Sequence, residues 1–319
     1  MSERSDGGFD RRKALHVLGA NAAAWLGTAC GTTSRKSEGT AMPATSAPIV
    51  RAIPSTGETV PVIGLGTWET FDVGAQKDDR APLADVLREF VAQGGRVVDS
   101  SPMYGRSEAV VGELASELGV LERLFVATKV WTSGKDAGIA QMQASMKKLR
   151  RARIDLMQVH NLVDAATHLE TLRAWKSEQL VRYIGVTHYT ESAHAAVERV
   201  LGSQVIDFVQ INYSAGEREA ESTVLPLARE RGVAVIANRP FGGGMLLQRL
   251  RGAPLPQWAG EIDCDAWSQV LLKFVVSHPA ITCAIPATSK VAHVRENMQA
   301  CFGRLPDEEL REKIATWIA

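Results

Sequence analysis

The sequence predicts a single α/β domain, a (β/α)8 TIM barrel over residues 49–319, preceded by a signal segment and a flexible tether. Three observations carry the prediction. Short β-branched runs alternate with helix-length segments, which argues for parallel strands joined by right-handed crossovers. The runs number eight, which favours a closed barrel over an open doubly wound sheet. Several of them, such as 154–159 and 233–237, are predominantly apolar, as strands covered on both faces must be.

Residues 1–30 read as an export signal. Arg11-Arg12 with Lys13 precedes a charge-free run from Ala14 to Ser34, which is broken by Gly19, Asn21 and Gly27. A permanent span needs roughly twenty strongly apolar residues, so a cleaved or anchored leader is the better account. Asp10-Arg11-Arg12-Lys13-Ala14-Leu15 resembles a twin-arginine export motif; the alternative is the basic start of a general secretory signal. Leu26-Gly27-Thr28-Ala29-Cys30 resembles a lipoprotein cleavage box, the alternative being a chance cysteine. A lipid on Cys30 would tether the protein to a membrane surface without spanning it. Residues 31–48 shift to Gly, Thr, Ser, Ala and Pro without apolar periodicity and read as the tether. The expected location is periplasmic or membrane-tethered in a bacterium, and cytoplasmic if these first residues are no leader.

The barrel units then follow in order. Run 62–66 is paired with helix 82–93, 96–99 with 107–118, 124–129 with 139–150, and 154–160 with 165–178. Run 181–187 is paired with 192–201, 206–211 with 221–231, 233–238 with 266–277, and 281–285 leads to a final helix within 306–319 that packs on the barrel. Chemistry in such barrels sits at the C-terminal ends of the strands. Asp99, Lys129 and His160 end three consecutive runs, Thr187 and His188 end the fifth, and Gln210, Asn238 and Arg239 end the sixth and seventh. Tyr104 lies in a short loop five residues past Asp99.

A phenol ordinarily ionises near 10, so alone it is a slow proton donor at neutral pH. Lys129 would lower that value, Asp99 would keep Lys129 charged and in place, and His160 would share a hydrogen bond with a substrate oxygen. Together these four side chains can polarise and protonate a carbonyl, leaving its carbon ready for hydride.

The same residues resemble the aldo-keto reductase family. Ile53 to Trp68 is similar to its opening hairpin and first barrel strand, and Val98-Asp99-Ser100-Ser101-Pro102-Met103-Tyr104-Gly105-Arg106-Ser107-Glu108 is similar to its Asp-Thr-Ala-x-x-Tyr-Gly-x-Ser-Glu signature. Phe125 to Lys129 and Ile154 to His160 match its lysine and histidine strands. The resemblance implies a catalytic tetrad of Asp99, Tyr104, Lys129 and His160, with Tyr104 as general acid. It also implies a nicotinamide dinucleotide, NADP favoured over NAD, lying across the barrel mouth against Gly66, Thr67 and Trp68. Thr187 and His188 stand where a Ser-Asn pair normally holds the carboxamide, and Gln210 matches the family's glutamine. Asn238 replaces the stacking aromatic residue, for which Phe241 or Trp68 would substitute, and the segment Arg239 to Gly244 offers Gly242 and its neighbours to a pyrophosphate. Ser289, Lys290, Glu296 and Asn297 fit the family's adenosine-phosphate motif at a helix N-terminus. Ala287 stands where many members use lysine, so Lys290 or Arg295 would supply the charge.

Several function classes are excluded. The 36 basic residues balance the 36 acidic ones, but residues 1–47 hold six basic and four acidic, leaving 30 basic against 32 acidic in the barrel. Neither part has the basic excess of a nucleic-acid module. Cys30, Cys264, Cys283 and Cys301 lack the spacing of a disulfide framework or a zinc site, and the last three read as buried thiols. No metal site is expected. The expected partner is a small carbonyl compound, with segments 71–80, 131–137 and 247–263 around it and Trp131 and Trp258 as an apolar wall. An alternative of another class is an exported sensory or interaction module that holds a nicotinamide cofactor with little turnover.

Overall fold

Alternate residues on a parallel strand face opposite sides, so a barrel made of such strands carries two cores, one against the helices and one inside. The computed structural model describes residues 47–319. The export motif, Cys30 and all but the last two residues of the tether lie outside them. A hairpin comes first, β1 (Val50–Ala52) antiparallel to β2 (Thr59–Pro61), with Val50 opposite Pro61. The barrel strands are β3 (Leu65–Gly66), β4 (Val97–Asp99), β5 (Phe125–Val130), β6 (Ile154–His160), β7 (Val181–Thr187), β8 (Phe208–Asn212), β9 (Ala234–Asn238) and β10 (Ile281–Ala284). They pair in sequence order and are parallel throughout. Bridges from Ile63 to Ala284 and from Gly66 to Ala287 join the first strand to the last and close the ring.

The helices are α1 (Lys77–Ala92), α2 (Ser107–Glu117), α3 (Lys135–Lys148), α4 (Ala165–Ser177), α5 (His194–Ser203), α6 (Val224–Glu230), α7 (Met245–Arg249), α8 (Trp267–Ser277), α9 (Val291–Gln299) and α10 (Glu308–Ile318). α1 starts ahead of the sequence expectation of 82, because Pro82 lies inside the helix rather than opening it. Proline there costs one backbone bond, and the acidic first turn with Asp78 and Asp79 favours the earlier start. The stretch after β9 is not a plain loop, since α7 and a 3-10 turn, Gln257–Ile262, fold within it. α10 is capped by Asp307, whose side chain accepts the Leu310 N–H at 2.9 Å, and it buries Ile314 and Ile318 against the barrel.

The outer core is aliphatic, with Val126, Met157, Val186 and Val209 of the strands meeting Phe90, Leu114, Leu172 and Phe274 of the helices. The inner core is separate. Val97, Phe125, Leu156, Tyr183, Phe208 and Ile236 fill the lower barrel, and Ile53 and Val60 of the hairpin plug it from below. The rings of Phe125, Tyr183 and Phe208 stand 5.5 to 6.1 Å apart. Gly185 sits among them because a Cβ there would lie 2.5 Å from the Phe208 carbonyl oxygen. Cys264, Cys283 and Cys301 are buried and free, and burial pushes the thiols of Cys264 and Cys301 up to about 12.

Candidate active site

Further along the same inward faces the side chains become polar. Phe125 is followed at the period of two by Ala127 and Lys129, Leu156 by Gln158 and His160, Phe208 by Gln210, and Val97 by Asp99. Lys129 is fully buried, and its Nζ donates to Asp99 Oδ2 at 2.6 Å and to the Ser100 carbonyl at 2.7 Å. The other carboxylate oxygen, Asp99 Oδ1, accepts from Gln210 Nε2 at 2.8 Å and from Gln158 Nε2 at 3.4 Å. Such a pair survives burial because each partner compensates the other and the remaining lone pairs are used.

Tyr104 is brought over this pair by the turn between β4 and α2, with Lys129 Nζ 4.9 Å from its ring centroid. His160 meets the tyrosine edge-on, ring centroids 5.9 Å apart. Burial works against the charge of Lys129, but Asp99 and then Tyr104 outweigh it and hold the ammonium above its usual value. Burial also pushes the Tyr104 phenol above its ordinary 10, and Lys129 pulls it back only in part. The expected lowering of the phenol is therefore corrected: desolvation of the phenolate is the larger effect. His160 is pushed down to about 3 by burial, then by Lys129 and His188, and is neutral. Ser101 Oγ lies 3.1 Å from His160 Nδ1 while accepting the Met103 N–H at 3.3 Å. If the Ser101 hydroxyl donates to Nδ1, the imidazole proton sits on Nε2, the tautomer that a donor to a substrate oxygen requires. Ser101 and Gln158 were missed by sequence reasoning. Gln158 was findable, since it precedes His160 by two residues and faces the same way.

Asp99, Tyr104 and His160 line the base of a cavity of about 670 Å³, with Lys129 buried beneath them. Of the residues expected to bind a cofactor, Gly66, Thr67, Trp68, Thr187, Gln210, Asn238, Arg239, Phe241, Glu296 and Asn297 line it. His188, Gly242, Ser289 and Lys290 do not. The His188 ring turns into its own loop, where Nδ1 accepts the backbone N–H groups of Tyr189 at 3.1 Å and Thr190 at 3.3 Å. Gly243 and Gly244 take the place of Gly242, while Ser289 and Lys290 are exposed beyond the turn that Thr288 Oγ1 closes on the Lys290 N–H. Gln210 is spent on Asp99 and on the Thr187 hydroxyl, which it accepts at 3.2 Å. Arg295 lies outside the cavity lining, in a solvent-exposed pair with Glu89 of α1 at 3.0 Å.

The upper cavity fits a polyanionic dinucleotide. Gly242, Gly243 and Gly244 have φ of 59°, 67° and 92°, a left-handed run that leaves the loop without side chains where a ligand must approach closely. Arg239 is itself left-handed, its buried Nε has no partner among the described residues, and its Nη2 lies 3.9 Å from Glu217 Oε1 and 3.1 Å from where a Cβ on Gly243 would be. The N-terminus of α9 has no side-chain cap, so its free N–H groups are open to an anion.

The rim of the cavity is apolar, from Trp68, Met103, Trp131 and Tyr189, each 42–48% exposed. Trp258 is not part of this wall. The 3-10 turn carries it inward to 7% exposure, where it packs edge-on against Trp267 at 6.3 Å. Segment 71–80 also stays out of the cavity lining, because Phe71 is fully buried in the outer core.

Known proteins resemble the chain in sequence and in fold. The methylglyoxal reductase YeaE of Escherichia coli (strain K12) is 28% identical over 261 residues, covering 79% of this chain and 89% of that protein. The 9,11-endoperoxide prostaglandin H2 reductase of Trypanosoma cruzi (strain CL Brener) is 27% identical over 266 residues, covering 79% and 86%. In fold, an aldo-keto reductase from Klebsiella pneumoniae solved in complex with NADPH superposes with a TM-score of 0.71 at 23% identity, over 86% of this chain and 96% of that one. The sequence profile of the aldo/keto reductase family matches residues 62–315, from the first barrel strand into the last helix, and this chain belongs to that family.

Proposed function

We propose that the protein reduces an aldehyde or ketone to the alcohol with NADPH, and that Tyr104, Lys129, Asp99 and His160 do the acid–base work. One observation carries this reading: a fully buried Lys129–Asp99 pair at 2.6 Å lies beneath a tyrosine and a neutral histidine at the base of an open cavity. The cofactor, when bound, supplies the hydride. Nε2–H of His160 donates to the substrate oxygen and orients the carbonyl. Tyr104 keeps its proton until the oxygen gains electron density, then gives it up as the alkoxide forms. Lys129 stabilises the phenolate left behind, and Asp99 keeps Lys129 charged and in place. Hydride to carbon and proton to oxygen balance the reduction to an alcohol. Replacing Tyr104 by Phe should lower kcat by about a thousandfold while leaving cofactor affinity unchanged. Retained turnover would remove the role given to Tyr104, and tight cofactor retention without turnover of any carbonyl by the wild type would favour a binding module.

The support for NADP is the Klebsiella relative's complex and Arg239 on the cavity wall, held only loosely by Glu217 at 3.9 Å, set against the uncharged Ala287 on the same wall. Equal dissociation constants for NADPH and NADH at one salt concentration would defeat the preference. We further propose export, with membrane tethering through Cys30. Its support is the Arg11-Arg12-Lys13 start, the mildly apolar run after it and the small residues before Cys30. Mass spectrometry of the native N-terminus decides it: a lipidated Cys30 is expected, and an intact Met1 would overturn the proposal.

A further inference from the structure

Trp131 follows β5 directly, and its ring centroid stands 6.4 Å from that of His160. With 42% of the residue exposed, packing alone does not hold this wall in place. Its backbone is held instead by side chains from two helices. Gln141 of α3 makes a two-point clamp on the Trp131 residue: the Trp131 N–H donates to Oε1 at 2.5 Å, and Nε2 donates to the Trp131 carbonyl at 3.1 Å. This is the pairing a neighbouring strand would offer, supplied by a side-chain amide past the point where β5 ends. The next backbone groups are held in turn. His168 Nε2 donates to the Thr132 carbonyl at 2.6 Å, and the Gly134 N–H donates to Asp164 Oδ2 at 2.8 Å. α3 approaches closely enough for this because residue 138 is glycine, where a Cβ would lie 2.4 Å from the His168 ring. Gln141 does not itself line the cavity.

We infer that Gln141 is a positioning residue that fixes Trp131 as a preformed wall for the apolar body of the carbonyl substrate. The inference rests on the carbonyl-reductase reading. Four ordered backbone groups in one short loop remove the entropy that a mobile loop would lose on binding, so a bulky substrate meets a wall already in place. A small substrate held by His160 and Tyr104 offers that wall little apolar surface and gains little from it.

The test compares wild type with Gln141→Leu, which removes both bonds, and Gln141→Glu, which keeps the acceptor and loses the donor. Amide exchange at Trp131 should quicken by about tenfold or more in Gln141→Leu and less in Gln141→Glu. KM for 2-naphthaldehyde should rise about fivefold in Gln141→Leu with kcat within about twofold, while KM for propanal stays put. In the Trp131→Ala background, Gln141→Leu should add nothing to KM. Unchanged exchange, an equal rise in KM for both aldehydes, or a further rise in that background would overturn the inference. If wild type reduces neither aldehyde, the reductase reading fails by itself. The clamp is then judged on the Kd of 2-naphthoate, which Gln141→Leu should weaken about fivefold and which an inert Gln141 would leave unchanged.

Discussion

The two halves of the barrel interior are built from the same strands and the same inward faces, yet they obey opposite rules. In the lower half Phe125, Tyr183 and Phe208 pack as an apolar floor sealed by the hairpin, and nothing there is left to react. Two to four residues further along, the inward positions are Lys129, Thr187 and Gln210, with Asp99 and His160 beside them. The floor gains stability from area removed from water. The mouth holds an ammonium and a carboxylate out of water, which is tolerable only because they share a hydrogen bond. One barrel thus separates what holds it closed from what it does, over a rise of roughly 3.3 Å per residue.

The largest expected effect comes from breaking the mouth. Lys129→Met leaves Asp99 buried and uncompensated, which should cost about 3–5 kcal/mol in urea unfolding and abolish turnover. Adding Asp99→Leu should restore most of the stability and none of the activity. If the double variant stayed as unstable as the single one, the pair would be part of the structural core and the division between floor and mouth would fail.

The floor should respond in the opposite sense. Phe208→Ala removes a buried ring and should cost about 3–5 kcal/mol, with a lower Tm and a lower urea midpoint. Its kcat, per folded molecule at low temperature, should stay within about twofold of wild type. A much larger fall would show that floor packing sets the geometry of Lys129 and His160.

This division explains which parts of the molecule were legible in the sequence. The count of eight alternating runs, together with the rule that barrel chemistry sits at the carboxyl ends of strands, puts Asp99, Lys129 and His160 on one rim. What stayed hidden depends on contacts between distant segments. Arg295 carries the right charge for a phosphate, but it lies outside the cavity lining, paired with Glu89, 206 residues away. Trp258 has the right chemistry for a substrate wall, but the 3-10 turn around it directs the indole onto Trp267. The Tyr104 phenol has a lysine beside it, and only the depth of its burial shows that desolvation outweighs that charge. Apolar runs show which strands are covered, but the desolvation of a single polar side chain depends on what packs over it from distant segments, which spacing does not carry.

The smallest effect expected concerns protons. His160 in the mouth titrates near 3, and His278, held down to about 4 by burial and then by Arg311, lies outside the barrel against Tyr213. Folding lowers the proton affinity of both rings, so the unfolded chain takes up its protons first. Their contribution to stability is complete above the unfolded value of about 6.5 and is lost as pH falls towards 4 and then 3. At pH 5 His160 should account for roughly 2 kcal/mol of lost stability and the partly solvent-screened His278 for less, read from urea unfolding at pH 7 and pH 5. His160→Gln should remove one of these two contributions and flatten the pH dependence accordingly, whereas His278→Gln should do the same without touching turnover. An unchanged slope in His160→Gln would mean that the folded protein already carries a charged imidazole in its mouth, and the neutral Nε2–H donor assigned to His160 would have to be given up.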